Sequence, residues 1–443
     1  MAKYTKNDIL RMAEEEDVEF IRLQFTDMFG TMKNIAIPIA KLEKAVNNEC
    51  VIDASSIESF YRNEEEDMYL HPELDTFCIL PWRPQQGKVA RLICDIYRAD
   101  GTPYKGSPRY ILKQVVRQAE EMGYSFKANP ECEFFLFHTD DNGRPTTLTH
   151  EQAGYMDLSP VDLGENARRD IVLTLEDMGY DVESSHHEIS PAQHEIDFSM
   201  ADVMETADKF MTFKVAVRTV AKRHGLHATF MPKPREEVNG SGMHINMALY
   251  KNGKNIFEDR GDALGLSREA YSFIAGIFAH IKGMTAFFNP LVNSYKRLVP
   301  GFEAPSDITW SSTQRTALIK VCQNRRRECQ IELRSPDPSA NPYLVFALCL
   351  AAGIQGIEEK LQLSPELKVG IRELSEEEKL EQGIQSLPTT LNEALNELSQ
   401  DEWIAGVVGS PFLECYMKSK RKEWKSYEKQ VSEWELTQYL YQI

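Results

Sequence analysis

Residues 129–137 read Asn-Pro-Glu-Cys-Glu-Phe-Phe-Leu-Phe, an apolar run entered through a proline and two acids. The pattern predicts a strand running into a core. Side chains alternate faces along a strand, so Glu131 and Glu133 share one. Elsewhere apolar spacing predicts helices at about 6–16, 108–122, 165–178, 203–224, 267–288, 341–361, 389–398 and 411–441. Ser107 before Pro108 reads as an N-cap, and Gly179 and Gly225 as stops. Strands are expected at about 18–24, 33–38, 76–81, 89–97, 181–188, 193–199 and 242–250, and Ile331-Glu332-Leu333 reads as another.

The first hundred residues are therefore mostly sheet. Asp100-Gly101-Thr102-Pro103 and Gly106-Ser107-Pro108 then punctuate the chain and place a domain boundary, giving units 1–105 and 106–443. Helices follow runs of strands without a regular βαβ alternation, so the class is α+β: a small sheet domain, then a large domain whose antiparallel sheet is packed by helices. A length of 443 residues also favours two domains.

Composition narrows the function. A chain that is 42% hydrophobic and 27% charged folds as a globular protein. Its net charge of −18 repels phosphate backbones and anionic membranes, which argues against nucleic-acid and membrane partners. An anionic substrate would need bound metals or clustered arginines. The eight cysteines are scattered without a C-x-x-C pair, as in reduced cytosolic proteins. The N-terminus lacks an apolar signal core and no segment reaches the ~20 apolar residues that span a bilayer. A cytoplasmic location is expected.

Candidate chemistry lies in acids placed on or beside apolar strands. Glu188 and Glu195 flank a turn in Ser184–Glu195, a histidine-rich stretch that could equally be plain surface. His244 follows the Gly-rich turn Asn239-Gly240-Ser241-Gly242-Met243, where a hydrogen-bonded core histidine is the simpler reading. Glu332 interrupts an apolar strand. With Glu131 and Glu133 these make five carboxylates and one imidazole, too many for unpaired burial. Such oxygen-rich sets suit Mg²⁺ or Mn²⁺. No P-loop or G-x-G-x-x-G motif is present, so ATP would be held by metals and scattered arginines. Residues 291–306 mix Lys, Arg and Glu with Pro and Gly and read as a mobile functional loop.

Together these motifs resemble type I glutamine synthetase in its short, non-adenylylated form. The resemblance spans the whole chain: Asp53-Ala54-Ser55-Ser56, Pro130-Glu131-Cys132-Glu133, His186-His187-Glu188, Gly225–Pro234, Asn239–His244, Asn293–Pro305 and Asn341-Pro342-Tyr343 occur in the family's order. It implies a β-grasp-like N-terminal domain and a catalytic domain whose sheet forms a cation-filled funnel. It also implies a dodecamer of two hexameric rings, with active sites shared between subunits. By motif position, Glu133, Glu188 and Glu195 would hold one metal, and Glu131, His244 and Glu332 another. Asn239, Gly240, Arg297, Glu303 and Arg334 would surround glutamate. Glu183, Arg315 and Lys320 would lie near ATP and the transferred phosphoryl group. Asp53 and Tyr155 would form the ammonium site, which a flap bearing Glu303 closes. The reaction implied is ligation of ammonia to glutamate, driven by ATP with two or more Mg²⁺ or Mn²⁺ ions.

The chain also departs from the family. Ala54 and Ser59 replace usual glycines, Ala248 a serine, and Lys320 and Gln330 arginines, while Cys322–Arg326 replaces a segment of smaller residues. Lys320 loses the bidentate fork and Gln330 loses the charge, deficits that Arg325, Arg326 and Arg327 could offset. These changes keep two other readings open: a γ-glutamyl ligase acting on an organic amine, and a poorly active paralogue. Arg62 marks a place where short-form enzymes respond to glutamine.

Overall fold

Two separate sheets organise the chain. The computed structural model describes residues 3–57, 67–83, 86–321 and 328–443. Ser59, Arg62 and the Cys322–Arg327 segment lie outside the described residues.

Helix α1 (Lys6–Glu15) starts in a capping box, in which Thr5 and Asp8 satisfy each other's backbone N–H. Then come β1 (Val18–Thr26), β2 (Met32–Pro38), α2 (Leu42–Val46), β3 (Cys50–Asp53), β4 (Asp67–Ile79) and β5 (Lys88–Arg98). The sheet order is β2-β1-β5-β4-β3, with β1 and β5 parallel and the other pairs antiparallel. Ile21, Leu23, Leu70, Leu92 and Ile96 fill the core beneath it. The strand expected at 76–81 is the tail of the longer β4, whose register shifts between Glu73 and Cys78. That irregularity breaks the alternation that would have revealed the whole strand.

Downstream lie α3 (Pro108–Glu121), β6 (Tyr124–His138), α4 (Glu165–Asp177), β7 (Val182–His187), β8 (Gln193–Phe198), β9 (Ala201–Asp202), α5 (Val203–Arg223), β10 (Leu226–Thr229), β11 (Met243–Lys251) and β12 (Lys254–Asn255). After α6 (Arg268–Phe288) come the short strands β13 (Trp310–Ser311), β14 (Ile319–Val321) and β15 (Ile331–Leu333). The second sheet runs β13-β14-β15-β11-β6-β8-β7 and is antiparallel except for the β13–β14 pair. Strand β6 is its spine, contacting β11 and β10 along one side and β8 and β9 along the other. Pro130 falls between the stretch paired to β8 and the stretch paired to β9, an interruption where a missing N–H is tolerated.

The C-terminal region is helical: α7 (Pro342–Glu359), α8 (Glu376–Glu381), α9 (Leu391–Gln400), α10 (Glu402–Val408), α11 (Ser410–Tyr427) and α12 (Glu433–Tyr439). Gly276 of α6 faces Ala352 of α7 so closely that an added Cβ would sit 2.0 Å from the Ala352 carbonyl oxygen. Only glycine permits that approach of two backbones. The single helix expected at 411–441 is in fact α11 and α12, because Ser432 opens a fresh capping box with Glu435. The α10 segment ahead of them ends at Gly409, whose φ is +88°. Buried ion pairs join the two sheets' domains: Arg109 of α3 bonds Asp95 of β5 and Asp208 of α5.

Candidate active site

Strand register builds the site. Glu133 of β6 pairs with Glu195 of β8, which pairs with His186 of β7. Two residues along, Glu131 pairs with Asp197 on one side and with His244 of β11 on the other. Asn246 of β11 pairs with Glu332 of β15, and Glu332 with Lys320 of β14. Positions two apart share a face, so these rungs stack acids, histidines and one lysine on one side of the sheet.

The acids gather in two groups. Glu131, His244 and Glu332 form one; His244 Nδ1 lies 3.6 Å from a carboxylate oxygen of each. Glu188, Glu195 and His186 form the other, with His186 Nε2 2.9 Å from Glu188 Oε1. Glu133 lies between them, its Oε1 4.0 Å from His244 Nε2. Glu133 Oε2 accepts hydrogen bonds from Gly242 N–H (2.8 Å) and Gln193 Nε2 (2.9 Å). Asn246 Nδ2 donates to Glu131 at 2.7 Å.

The electrostatics are those of crowded anions. Burial, then Glu188, pushes the Glu133 carboxyl up to about 8. Burial, then Asp197 and Glu133, raises Glu195 well above the usual carboxylate range. Burial and then Arg334 push His244 well down, leaving a neutral imidazole with one lone pair to give. Carboxylates that raise one another and a neutral histidine are the donor set of a hard divalent cation, so the residues fit such an ion.

Beside these groups Glu133, Glu188 and His244 share a cleft with Gln193, Asn239, Gly240, Arg297, Phe302, Glu303, Ala304 and Arg334. Thus Asn239, Gly240, Arg297, Glu303 and Arg334, singled out by motif, do come together. The Gly-rich turn owes its composition to crowding. A Cβ on Gly240 would sit 2.3 Å from the Pro232 carbonyl oxygen, and one on Gly242 2.7 Å from both Arg297 Nη2 and His244 Nε2. Arg297 is buried and donates to the Ser335 and Arg334 carbonyls at 2.8 and 3.0 Å. Arg334 donates to Glu332, and its buried Nε has no partner among the described residues. The segment expected to be a mobile loop is packed in its first half, with Ser294, Tyr295, Arg297 and Leu298 all buried. Tyr155 stands edge-on to His186 at 5.4 Å, and burial, then the charges of Glu188 and Glu195, raises its hydroxyl above the usual tyrosine range.

Other expected residues lie elsewhere. Asp53 ends β3 in the first sheet, accepts from Ser55 N–H at 2.7 Å, and does not line the cleft. Glu183 is exposed, the extra residue of a bulge in β7 that pairing with β8 skips. Arg315 is exposed in the turn before β14. Lys320 places Nζ 3.4 Å from Glu332 Oε2. Ala248 is buried on β11 opposite Lys127, and Gln330 directly precedes β15. Sequence reasoning passed over His186, Gln193 and Asn246. His186 and Asn246 each stand two residues from a predicted ligand on a strand, so alternation alone would have found them. Gln193 carries the same signal, two residues before Glu195 on β8.

Residues 17–99 match the glutamine synthetase beta-Grasp domain, and residues 105–439 match the glutamine synthetase catalytic domain. The chain is 56% identical over 440 residues to a glutamine synthetase of Clostridium saccharobutylicum and 52% identical over 440 residues to those of Staphylococcus aureus, covering 99% of both chains in each case. Among solved structures it resembles GmaS in complex with ADP (32% identity, TM-score 0.87, covering 98% of this chain and 99% of that one). It also resembles Plasmodium falciparum glutamine synthetase (25% identity, TM-score 0.86, 99% of each). Rungs of acids facing an arginine-lined cleft, on a fold shared along the full length of these proteins, lead to one conclusion: the chain belongs to the glutamine synthetase family, whose members use ATP and divalent metal.

Proposed function

We propose that the chain joins ammonia to the γ-carboxylate of L-glutamate, using ATP and two or more Mg²⁺ or Mn²⁺ ions. The observation that carries this is the convergence of two acid–histidine groups on a cleft lined by Arg297 and Arg334. Glu131, His244 and Glu332 would hold one ion; Glu133, Glu188 and Glu195 the other. When bound, the ions supply positive charge against the phosphates of ATP.

A carboxylate does not accept ammonia directly, because hydroxide is a poor leaving group. The γ-carboxylate oxygen attacks the γ-phosphorus of ATP, the bond to the β-phosphate oxygen breaks, and ADP leaves. Arg297 and Arg334 with Asn239 and Gly240 hold glutamate in line, Glu183 and Lys320 face the nucleotide, and Arg315 meets the charge of the moving phosphoryl group. Ammonium loses a proton to Asp53 beside Tyr155 and attacks the acyl carbon. The carbon–oxygen bond to phosphate then breaks, giving glutamine and phosphate. Glu303 closes over the acyl phosphate and keeps water out.

Asp53 lies in the other sheet and does not line its own chain's cleft, which favours a site completed by a neighbouring copy, as in a dodecamer of two hexameric rings. We divide the chain into units 1–105 and 106–443. The free cysteines among the described residues favour a cytoplasmic location, and no described helix is long and apolar enough to cross a membrane. The net charge of −18 disfavours nucleic acid as a partner.

The test is phosphate release with ATP, Mg²⁺ and glutamate, run with ammonium, with a panel of organic amines and with no amine, with products identified by mass. Glutamine as the main product is expected. A γ-glutamyl amide with ammonium inactive, or no turnover at all, would overturn the reading.

A further inference from the structure

Behind the metal-ligand hairpin lies a group of polar side chains that the chemistry above does not use: Glu151, Asp162, Arg168, His187 and His194, all buried. By residue type it could pass for a cation site, but its own donors occupy it. Arg168 Nη1 lies 2.7 Å from Asp162 Oδ2 and 2.8 Å from His194 Nδ1. His187 turns Nδ1 to the Glu188 carbonyl oxygen at 2.6 Å and Nε2 to Glu151 Oε1 at 2.7 Å, so both ring nitrogens face acceptors.

Glu151 is the hub. It also accepts from Ala192 N–H and, at 2.7 Å, from Leu163 N–H. Ala192 sits in the turn between β7 and β8 with φ +67°, a left-handed conformation that alanine adopts only when its surroundings hold it there. Leu163 closes the loop carrying Tyr155, and that loop is pinned again to β7 by Met156 N–H to the His187 carbonyl at 2.9 Å. One carboxylate therefore binds both the turn that bears Glu188 and the loop that bears Tyr155. Burial opposes its ionisation, but hydrogen bonding led by His187 draws the Glu151 carboxyl down to about 2.

We propose that Glu151 is a positioning residue: through His187 and Ala192 it fixes the backbone that aims Glu188, and through Leu163 it holds the Tyr155 loop in the same frame. The inference rests on the role of Glu188 as a metal ligand proposed above. Partners that orient a ligand from behind typically change metal affinity by about 10- to 100-fold when lost.

Glu151→Gln and Glu151→Asp in the full-length, assembled protein test it. Mn²⁺ alone is titrated and free ion read by electron paramagnetic resonance, and the KM for ammonium is compared with the KM for glutamate. With Glu151→Gln, Mn²⁺ affinity falls by about 10- to 100-fold. The KM for ammonium rises, the KM for glutamate and the assembly hold, and Glu151→Asp recovers part of both losses. Mn²⁺ affinity and ammonium KM equal to the parent's would overturn the proposal. So would a collapse of assembly and every kinetic parameter together, with Glu151→Asp no better. If Glu151→Gln does not assemble, Glu151→Asp is read by the same criteria. Because Mn²⁺ binding needs no turnover, a parent that makes no glutamine would sink the functional reading and still leave Glu151 decided.

Discussion

Replacing Glu133 with glutamine should stabilise the metal-free protein while abolishing its activity, and the size of the effect should depend on pH. Burial and the neighbouring Glu188 raise the Glu133 carboxyl from 4.5 to about 8. A carboxyl raised on folding keeps its proton longer in the folded chain than in the unfolded one. Between these two values the folded state binds the extra proton, so stability falls as pH rises through that window. Each unit is worth about 1.4 kcal/mol, so the loss is about 2 kcal/mol at pH 6 and about 4 kcal/mol at pH 8, where the folded carboxyl is half ionised. Glutamine carries no charge and retains an oxygen for Gly242 N–H and Gln193 Nε2. Metal-free Glu133→Gln should therefore match the parent near pH 4.5 and exceed it by those amounts at pH 6 and pH 8. Urea denaturation in EDTA at one protein concentration measures the difference. Adding Mn²⁺ should reverse the ranking, since the parent gains binding energy that the variant cannot. A gap between variant and parent that is the same at pH 6 and pH 8 would refute the reasoning.

Further outcomes follow from the same geometry. Lys320→Ala should raise the KM for ATP about tenfold, the loss of one charge-assisted contact, and leave the KM for glutamate unchanged in steady-state kinetics. An unaltered ATP KM would confine Lys320 to its pairing with Glu332. Gly240→Ala should lower stability by about 1–3 kcal/mol through overpacking against Pro232 and Arg297, and should raise the glutamate KM; calorimetry and initial rates check it. Asp53→Asn and Glu133→Gln should each be inactive alone, yet mixed oligomers assembled from both should recover activity if a neighbouring copy completes the site. No recovery in verified mixed assemblies would argue for sites built from one chain.

Much of this was legible in the sequence where the determinants are local. Alternation put Glu131 and Glu133 on one face, Gly-rich spacing flagged the crowded turn at 239–242, and Ser107 before Pro108 marked a helix start. Motif order then pointed to the family. What tertiary structure alone decided is long-range. Nothing near Glu133 in the chain says that Glu195 pairs with it, because strand register is set by packing across the sheet. The histidine-rich stretch could have been surface, yet His187 and His194 are fully buried, His187 bonded to Glu151, a residue without any motif, and His194 to Arg168. Glu183 was diverted by a bulge, and the 411–441 helix was broken by a cap within it. The sequence by itself determined which residues can carry the chemistry, since side-chain type and local period are properties of neighbouring residues. The fold decided which of them meet and at what charge, since distance and burial arise only when remote segments pack together.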